Sequence, residues 1–202
     1  MIKSVVFDFG GVLIDWNPHY YFDGYFGSEE QATWFLENIC HYTWNLQMDG
    51  GKPFAEGVAE LSAQHPEWKE AIENYHRHWI DMIGEEIEGT AAVVRRLKEA
   101  GYGVYGLTNW SSETFPLIRY DYEVFSLFDG IVVSGEEHLL KPDRRIYECL
   151  LDRYALKAAE SVFIDDNADN VTGAKAVGME AIRFESAVQI ERELKEKFGL
   201  VF

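Results

Sequence analysis

The sequence predicts an α/β fold, in which a parallel β-sheet carries helices on both faces and a helical insert follows the first strand. From residue 90 onward, short apolar segments alternate with amphipathic segments of helical length. This alternation is typical of parallel strands joined by crossover helices. Residues 16–88 differ, because their apolar residues have helical spacing and no segment there has the pattern of a strand.

The first strand is predicted at residues 4–7, where it is ended by Asp8 and followed by a glycine pair. We expect the junctions at residues 15–17 and 87–89 to act as hinges on either side of the insert. Three helix starts are predicted within the insert: Ser28 with Gln31 as a capping box, Pro53 in a first turn, and Pro66 ahead of a helical pattern over residues 67–83.

After the insert, the pattern predicts four strands and four helices. Gly101 and Gly178 follow two of these helices in the position that favours left-handed backbone geometry. The predicted domains are therefore a core of residues 1–15 and 89–202 and an insert of residues 16–88. The strands are expected at residues 103–108, 131–134, 162–165 and 180–184, and the helices at residues 90–100, 143–154, 168–177 and 187–198.

Composition and charge narrow the class of protein. With 202 residues, of which 47% are hydrophobic, the chain is long enough to bury a sizeable core. The formal net charge of −17 argues against nucleic acid or an anionic membrane as a partner. Met1 leads directly into the first strand, and no run approaches the roughly 20 apolar residues of a membrane span. Cys40 and Cys149 match no metal or redox spacing. We therefore expect reduced thiols and a cytoplasmic protein.

Two adjacent carboxylates, Asp165 and Asp166, end the apolar strand predicted at residues 162–165. Such a pair is costly, because the two charges repel each other and lose water. A divalent cation removes that cost, and oxygen ligands suit Mg²⁺. The alternative is a simple turn in which the same polar residues cap the helix that begins near Ala168. The residues alone leave both interpretations open.

Polar side chains end three other predicted segments in the same way. Asp8 follows the first strand, Thr108 and Asn109 follow the second, and Lys141 lies in the run HLLKPDRRIY. In open α/β sheets, ligands bind outside the carboxyl ends of the strands, so these residues are candidates for a common site. The simpler interpretation of Asp8 is that it caps the element that follows it.

In this order, the four motifs resemble those of the haloacid dehalogenase-like (HAD) hydrolase superfamily. VFDFGGVL resembles its nucleophile motif, GLTNW its hydroxyl-amide motif, LKPDRRIY its lysine motif and FIDDNADN its acidic motif. DFGG and FIDDNADN look most like the bacterial branch that includes sugar-phosphate (glucose-1-phosphate-type) phosphatases. The resemblance implies a Rossmann-like core, with the insert acting as a mobile cap over the active site. It is compatible with both a monomer and a homodimer.

The resemblance also implies a reaction, the hydrolysis of a small phosphorylated metabolite such as a hexose 1-phosphate. Asp8 would attack phosphorus and form an aspartyl-phosphate. Lys141 would place a positive charge beside the phosphate, while Thr108 would offer its hydroxyl and Asn109 its backbone amide.

Mg²⁺ is the cofactor that the resemblance implies. Its ligands would be Asp8, the carbonyl of Gly10 and one or both of Asp165 and Asp166. Asn170 lies four residues after Asp166 and would hold the acidic pair in place.

Gly10 is the main departure from the pattern. Most HAD phosphatases carry a second Asp at this position, as acid for the leaving group and base for water. General acid–base catalysis typically contributes about 10²–10⁴-fold. Either another group replaces that Asp, such as Asp15 or a residue of the insert, or the leaving group needs little help, as an anomeric sugar oxygen does. Asp15 is equally well interpreted as a hinge residue.

The motifs leave two alternative functions open. Metal-independent 2-haloacid dehalogenases also lack the second Asp, but they replace the acidic pair with small polar residues, so Asp165 and Asp166 favour a phosphatase. An inactive binding or regulatory module is the second alternative. Candidate substrate residues combine flat apolar faces with hydrogen-bonding groups, although tryptophans in a helical bundle are more often core. They are Trp16, Asn17, Trp44 with its neighbour Asn45, Asp49 and Trp110.

Overall fold

The computed structural model describes residues 1–202. The strands are β1 (Ser4–Phe7), β2 (Ile14–Trp16), β3 (Ile83–Glu86), β4 (Gly103–Thr108), β5 (Gly130–Val133), β6 (Ser161–Asp165) and β7 (Glu180–Arg183). The helices are α1 (His19–Phe26), α2 (Glu29–Asn38), α3 (Tyr42–Asp49), α4 (Phe54–Gln64), α5 (Lys69–Arg77), α6 (Thr90–Glu99), α7 (Phe115–Ile118), α8 (Ser134–Glu137), α9 (Arg144–Arg153), α10 (Ala168–Ala176) and α11 (Ala187–Glu196).

The main sheet contains five strands in the order β5-β4-β1-β6-β7, and every pairing is parallel. β1 is central, and its last residue Phe7 pairs with Gly106 of β4 and Ile164 of β6. The carboxyl ends of these three strands therefore meet at one edge of the sheet, which is where the motif residues lie.

Helices cover both faces of the sheet, as predicted for the core. Along β1, Val5 and Phe7 belong to one buried apolar cluster and Val6 to another, because successive side chains of a strand point to opposite faces. The first cluster is completed by α6 and α11, through residues such as Val93, Leu97 and Leu194. The second is completed by α9 and α10, through residues such as Ile146, Leu150 and Val171.

The strands and helices predicted after residue 90 are confirmed, with bounds that differ by no more than two residues. Gly101 and Gly178 have φ values of 87° and 89°, in the left-handed region that ends a helix without strain. In the insert, Ser28 caps α2 as expected, since its Oγ accepts a hydrogen bond from the N–H of Gln31 at 3.3 Å.

The prediction that residues 16–88 contain no strand is wrong. β2 and β3 form a two-stranded antiparallel ribbon at the two ends of the insert, with Trp16 opposite Ile83. The helix expected over residues 67–83 is also shorter, because α5 ends at Arg77 and a 3-10 turn over Trp79–Met82 leads into β3. A ribbon of three- and four-residue strands has too few residues to show an alternating pattern, and its partners are distant in sequence.

The insert is not packed as a separate body. A single cluster of 39 buried apolar residues extends from the sheet into α1–α5, so that Phe9 beside the sheet and Phe22 and Tyr75 of the insert belong to the same core. None of the helices has both the length and the apolar character needed to cross a membrane.

Candidate active site

Asp8 lies at the carboxyl end of β1 and is held there by the sheet. Its N–H donates to the carbonyl of Ile164 at 2.9 Å, which extends the pairing with β6 by one residue. Its Oδ1 accepts hydrogen bonds from the N–H of Phe9 at 2.7 Å and from Lys141 Nζ at 2.8 Å. Because both contacts use Oδ1, Oδ2 has no hydrogen bond within the protein.

Lys141 bridges two carboxylates at the bottom of the site. Its Nζ lies 2.8 Å from Asp8 Oδ1 and 2.7 Å from Asp165 Oδ2, and its side chain is fully buried. Burial lowers the pKa of Lys141, but the two carboxylates outweigh this effect and raise its pKa above the ordinary value. Lys141 is therefore a permanent positive charge beside Asp8.

Asp165 and Asp166 are adjacent in sequence but have different surroundings. Asp165 is fully buried and accepts hydrogen bonds from Lys141, from Asn170 Nδ2 at 3.1 Å and from the N–H of Asn167 at 2.8 Å. Asp166 has an exposed side chain that borders the cavity described below. Its carboxylate accepts no hydrogen bond from another residue, and only its backbone carbonyl accepts one, from Arg183 Nε at 3.1 Å. The protein thus satisfies Asp165 and leaves Asp166 available.

The site has a set of oxygen donors that fits a divalent cation. One carboxylate oxygen from each of Asp8, Asp165 and Asp166 lies within 4.8 Å of the others. Burial raises the pKa of Asp8 to about 7, against the effect of Lys141 and with a contribution from Asp165. Burial and the charge of Asp165 likewise raise the pKa of Asp166. Three carboxylates beside one ammonium leave two negative charges uncompensated, which a hard divalent cation would neutralise.

The loop after β4 contributes a clamp and an unpaired hydroxyl. The side chain of Asn109 accepts a hydrogen bond from the N–H of Lys141 at 2.8 Å and donates one to its carbonyl at 3.1 Å. The structure therefore gives the Asn109 side chain a positioning contact, in addition to the backbone role expected from the sequence. Thr108 Oγ1 is buried and has no hydrogen-bond partner in the protein, which is costly unless a ligand or water supplies one.

The glycine pair after Asp8 allows Asp166 to approach the first strand. Gly11 has φ of 75°, and a Cβ added there would lie 2.8 Å from Asp166 Oδ2. Gly10 has no such restriction, because its φ is not positive and an added Cβ would meet only a ring carbon of Trp110 at 4.0 Å. The requirement for glycine is therefore specific to Gly11.

A cavity of about 330 Å³ opens above these residues, between the sheet edge and the insert. Its wall combines aromatic rings with amides and carboxylates. It contains no lysine or arginine, because Lys141 lies beneath Asp8. The lining residues are Asp8, Gly10, Gly11, Trp16, Tyr42, Asn45, Asp49, Trp79, Asn109, Trp110, Asp166, Asn167 and Asn170.

The structure divides the predicted substrate residues into two groups. Trp16, Asn45, Asp49 and Trp110 line the cavity. Trp44 and Asn17 do not: Trp44 is buried in the insert and donates from Nε1 to the carbonyl of Gly57 at 3.2 Å, while Asn17 accepts a hydrogen bond from the N–H of His19. Trp44 therefore follows the alternative interpretation, in which a tryptophan of a helical bundle is part of the core.

Asp15 also lies outside the cavity wall. It belongs to β2, and its carboxylate accepts a hydrogen bond from the hydroxyl of Tyr20. This position at the base of the insert matches the interpretation of Asp15 as a junction residue. Asp15 therefore does not share the cavity wall with Asp8.

Several lining residues were not identified from the sequence. Tyr42 of α3 and Trp79 of the 3-10 turn before β3 line the cavity, and Trp79 packs edge to face against Trp110 with ring centroids 5.5 Å apart. Nothing in their sequence surroundings distinguishes them from core aromatics. Asn167 also lines the cavity, and its position directly after Asp166 in the acidic motif is the signal that could have identified it.

Comparisons with known proteins agree with this geometry. A sesquiterpene phosphatase of Aspergillus oryzae is 30% identical over 98% of this chain and 97% of its own length. A HAD family enzyme of Bacteroides thetaiotaomicron, solved as a magnesium complex, has a TM-score of 0.72 at 20% identity, over 92% of this chain and 94% of that one. L-2-haloacid dehalogenase of Xanthobacter autotrophicus has a TM-score of 0.66 at 20% identity, over 99% and 85% of the two chains.

At these identities the two structures establish similarity of fold and do not distinguish phosphatase from dehalogenase. The family assignment comes from the sequence: the model of the haloacid dehalogenase-like hydrolases matches residues 2–178. This match covers the insert, all four motifs and every strand of the main sheet except β7, and the Aspergillus relative matches over 98% of the chain. The chain belongs to the haloacid dehalogenase-like hydrolase family.

Proposed function

We propose that the protein is a Mg²⁺-dependent phosphomonoester hydrolase in which Asp8 is the nucleophile. The observation that carries this proposal is the state of Asp8: its Oδ1 is held by Lys141 and the backbone, while Oδ2 is free at the bottom of the cavity. An oxygen held in this way is suited to in-line attack on a phosphorus atom.

The residues around Asp8 support the same reaction. Lys141 lies close enough to stabilise negative charge on a transferring phosphoryl group as well as on Asp8. The unpaired hydroxyl of Thr108 is a further donor close to this end of β4. Asp8, Asp166 and the Gly10 carbonyl would hold Mg²⁺, with Asp165 behind them. When bound, the ion would neutralise charge between the carboxylates and the phosphoryl oxygens.

The cavity supports a substrate whose leaving group carries no negative charge. A second phosphate or a carboxylate on the substrate would need a cation, and the cavity wall offers only aromatic rings, amides and two aspartates above Asp8. Tryptophan faces and amide groups suit a sugar ring, so a hexose 1-phosphate remains our first candidate. The similarity to a sesquiterpene phosphatase makes an isoprenoid alcohol phosphate the second candidate.

The 2-haloacid dehalogenase alternative has less support from the site. Its substrate contains a carboxylate, for which the cavity wall provides no cation. In addition, the two uncompensated negative charges of the group formed by Asp8, Asp165, Asp166 and Lys141 would oppose the approach of an anionic substrate in the absence of a metal ion.

A comparison of wild type with Asp8→Asn tests the proposed reaction. We expect Mg²⁺-dependent hydrolysis of p-nitrophenyl phosphate, its loss in EDTA, and no detectable turnover by Asp8→Asn, because an amide cannot form the aspartyl-phosphate. The variant should remain folded, since Lys141 keeps its contact with Asp165. Residual activity within tenfold of wild type would refute the role of Asp8. Metal-independent release of halide from 2-chloropropionate would establish the dehalogenase instead, and inactivity in both assays would favour a binding module.

A matched pair of substrates tests the charge of the leaving group. Glucose 1-phosphate and glucose 1,6-bisphosphate differ only by a second phosphate. We expect kcat/KM for the bisphosphate to be lower by about tenfold or more, since its second anion faces a wall without cations. The same comparison applies to farnesyl phosphate and farnesyl diphosphate. Equal or better use of the doubly charged member of each pair would refute this selectivity without affecting the assignment of Asp8.

A further inference from the structure

A buried carboxyl group of the insert lines the same cavity as Asp8. Asp49 is the last residue of α3, is 8% exposed, and contributes to the cavity wall together with Asn45 of the same helix. It is the one acidic residue that the insert contributes to the wall. The cavity therefore has the proposed nucleophile, Asp8, on the side of the sheet edge and a buried carboxyl group, Asp49, on the side of the insert.

Asp49 is held in place by both its backbone and its side chain. Its carbonyl accepts a hydrogen bond from Ser134 Oγ at 2.5 Å, and the same oxygen of Ser134 accepts one from the N–H of Trp110 at 2.9 Å. Its carboxylate accepts a hydrogen bond from Asn45 Nδ2 at 3.0 Å. Asp49 is thus held by its own helix through the side chain and by Ser134 through the backbone.

The electrostatic surroundings favour the protonated form of Asp49. Burial raises the pKa of Asp49 well above its ordinary value, and the negative charge of Asp8 adds to this effect. The N–H of Ser111 acts in the opposite direction, because it stabilises the carboxylate. No lysine or arginine lines this part of the cavity to hold the group ionised.

We propose that Asp49 is the proton donor and acceptor that replaces the acid missing at Gly10. The proposal rests on the proposed phosphatase function. As Asp8 Oδ2 forms a bond to phosphorus, the bond from phosphorus to the ester oxygen breaks and that oxygen receives the proton of Asp49. Asp49 then accepts a proton from the water whose oxygen attacks the aspartyl-phosphate. The bond from phosphorus to Asp8 breaks, which releases inorganic phosphate and restores a protonated Asp49.

Two competing explanations are distinguishable from this one. Asp15, the other candidate, lies outside the cavity wall and is bonded to Tyr20. A purely structural role for Asp49 would affect all phosphate esters alike, whereas an acid matters only when the leaving group needs a proton. Nitrophenolate leaves without a proton, while the alkoxide of benzyl phosphate requires one.

The test compares p-nitrophenyl phosphate and benzyl phosphate in wild type, Asp49→Asn, Asp15→Asn and the control Asp23→Asn. Asp23 is an insert carboxylate bonded to His19 and absent from the cavity wall. For Asp49→Asn we expect turnover of benzyl phosphate to fall by roughly 10²–10⁴-fold. We also expect a pre-steady-state burst of p-nitrophenol, because the first step proceeds without an acid and the attack of water becomes rate-limiting. Asp23→Asn should show neither effect.

A second variant returns an acid to the site. The backbone at Gly10 tolerates a side chain, so Gly10→Asp combined with Asp49→Asn should recover much of the benzyl phosphate turnover.

Equal losses on both esters without a burst in Asp49→Asn, or benzyl phosphate turnover within tenfold of wild type, would overturn the role of Asp49. The role of Asp49 would also be overturned if Asp15→Asn, and not Asp49→Asn, showed the burst and the selective loss of benzyl phosphate turnover. If Asp49→Asn does not fold, the wild-type enzyme decides: a steep decline in rate with leaving-group basicity would overturn the proposal, and a shallow one would support it. Loss of all activity in Asp8→Asn tests the phosphatase assignment separately.

Discussion

At the scale of single residues, the clearest result is the different treatment of two neighbouring aspartates. Asp165 is surrounded by donors from Lys141, Asn167 and Asn170, whereas Asp166 is exposed at the cavity wall. Their adjacency in the sequence predicted an acidic site but gave no indication of which carboxylate would face a ligand. That division depends on Lys141, which comes from a distant part of the chain, and on the turn that directs Asn167 and Asn170 to Asp165. We infer that Asp166 is the direct metal ligand and that Asp165 orients Lys141.

This division predicts different kinetic effects for two isosteric variants. Asp166→Asn should raise the Mg²⁺ concentration for half-maximal activity by roughly tenfold or more, because a direct ligand is weakened. Asp165→Asn should mainly lower kcat, because Lys141 loses one of its two carboxylates. Titrating both variants with Mg²⁺, with p-nitrophenyl phosphate as the substrate, measures the half-maximal Mg²⁺ concentration and kcat of each. An equal shift in Mg²⁺ requirement would refute the division, and no shift in either variant would mean that the acidic pair is only a turn.

The two glycines after Asp8 predict a contrast in stability. Gly11→Ala should lower the free energy of unfolding by about 1–2 kcal/mol, because its φ of 75° is unfavourable for any residue with a Cβ. It should also impair Mg²⁺-dependent activity by displacing Asp166, whose Oδ2 would lie 2.8 Å from the new Cβ. Gly10→Ala is the matched control and should leave the unfolding free energy nearly unchanged. Urea denaturation of both variants measures the two free energies of unfolding. Similar values would contradict the argument that only the backbone at residue 11 requires glycine.

At the scale of elements, the start of α4 shows what a local sequence signal can and cannot predict. Pro53 was a correct helix-start signal, but it provides no side-chain cap. The cap comes from Glu113, whose Oε1 accepts a hydrogen bond from the N–H of Phe54 at 2.8 Å and which lies 59 residues further along the chain. β2 and β3 pair over a similar distance in sequence. Local patterns predicted that α4 begins here but not the remote residue that caps it, and they missed the ribbon, whose strands are too short to show an alternating pattern.

The remote cap predicts a stability effect. Glu113→Ala should lower the free energy of unfolding by about 1 kcal/mol, because the N–H of Phe54 loses its acceptor. Glu123→Ala is the control, since its carboxylate is 84% exposed and lies 3.9 Å from Arg95. That control should change stability by less than about 0.5 kcal/mol. Equal effects of the two substitutions would argue against a capping role.

At the scale of the whole molecule, the sheet and the insert share one apolar core of 39 buried residues. From the sequence we expected a core and an insert, but not that the two share one apolar core. Apolar periodicity shows which side of a helix is buried, and it does not show what covers that side. Because the sequence does not show how elements pack against one another, some of the residues that line the cavity could be predicted and others could not. Motif residues at strand ends were predictable from topology, whereas Tyr42 and Trp79 reach the cavity only through the packing of the insert.

A shared core predicts a single unfolding transition. Five of the six tryptophans lie in residues 16–88, so tryptophan fluorescence reports mainly on the insert, while far-ultraviolet circular dichroism reports on all helices. Urea curves recorded with the two probes should have the same midpoint. An earlier fluorescence transition would show that the insert unfolds independently of the sheet.

The hydroxyl of Ser134 has a consequence for the engineering of chimeras. This one group, at the point where β5 passes into α8, receives the N–H of Trp110 and donates to the carbonyl of Asp49, so it sets the distance between the insert and the sheet edge. Grafting an insert from a homologous enzyme to change substrate preference would replace the Asp49 side of this contact and retain the Ser134 side. A graft that preserves the backbone position of Asp49 should keep the new cavity wall aligned with Asp8. One that shifts this position by a residue would misalign the wall even if every cavity side chain were copied.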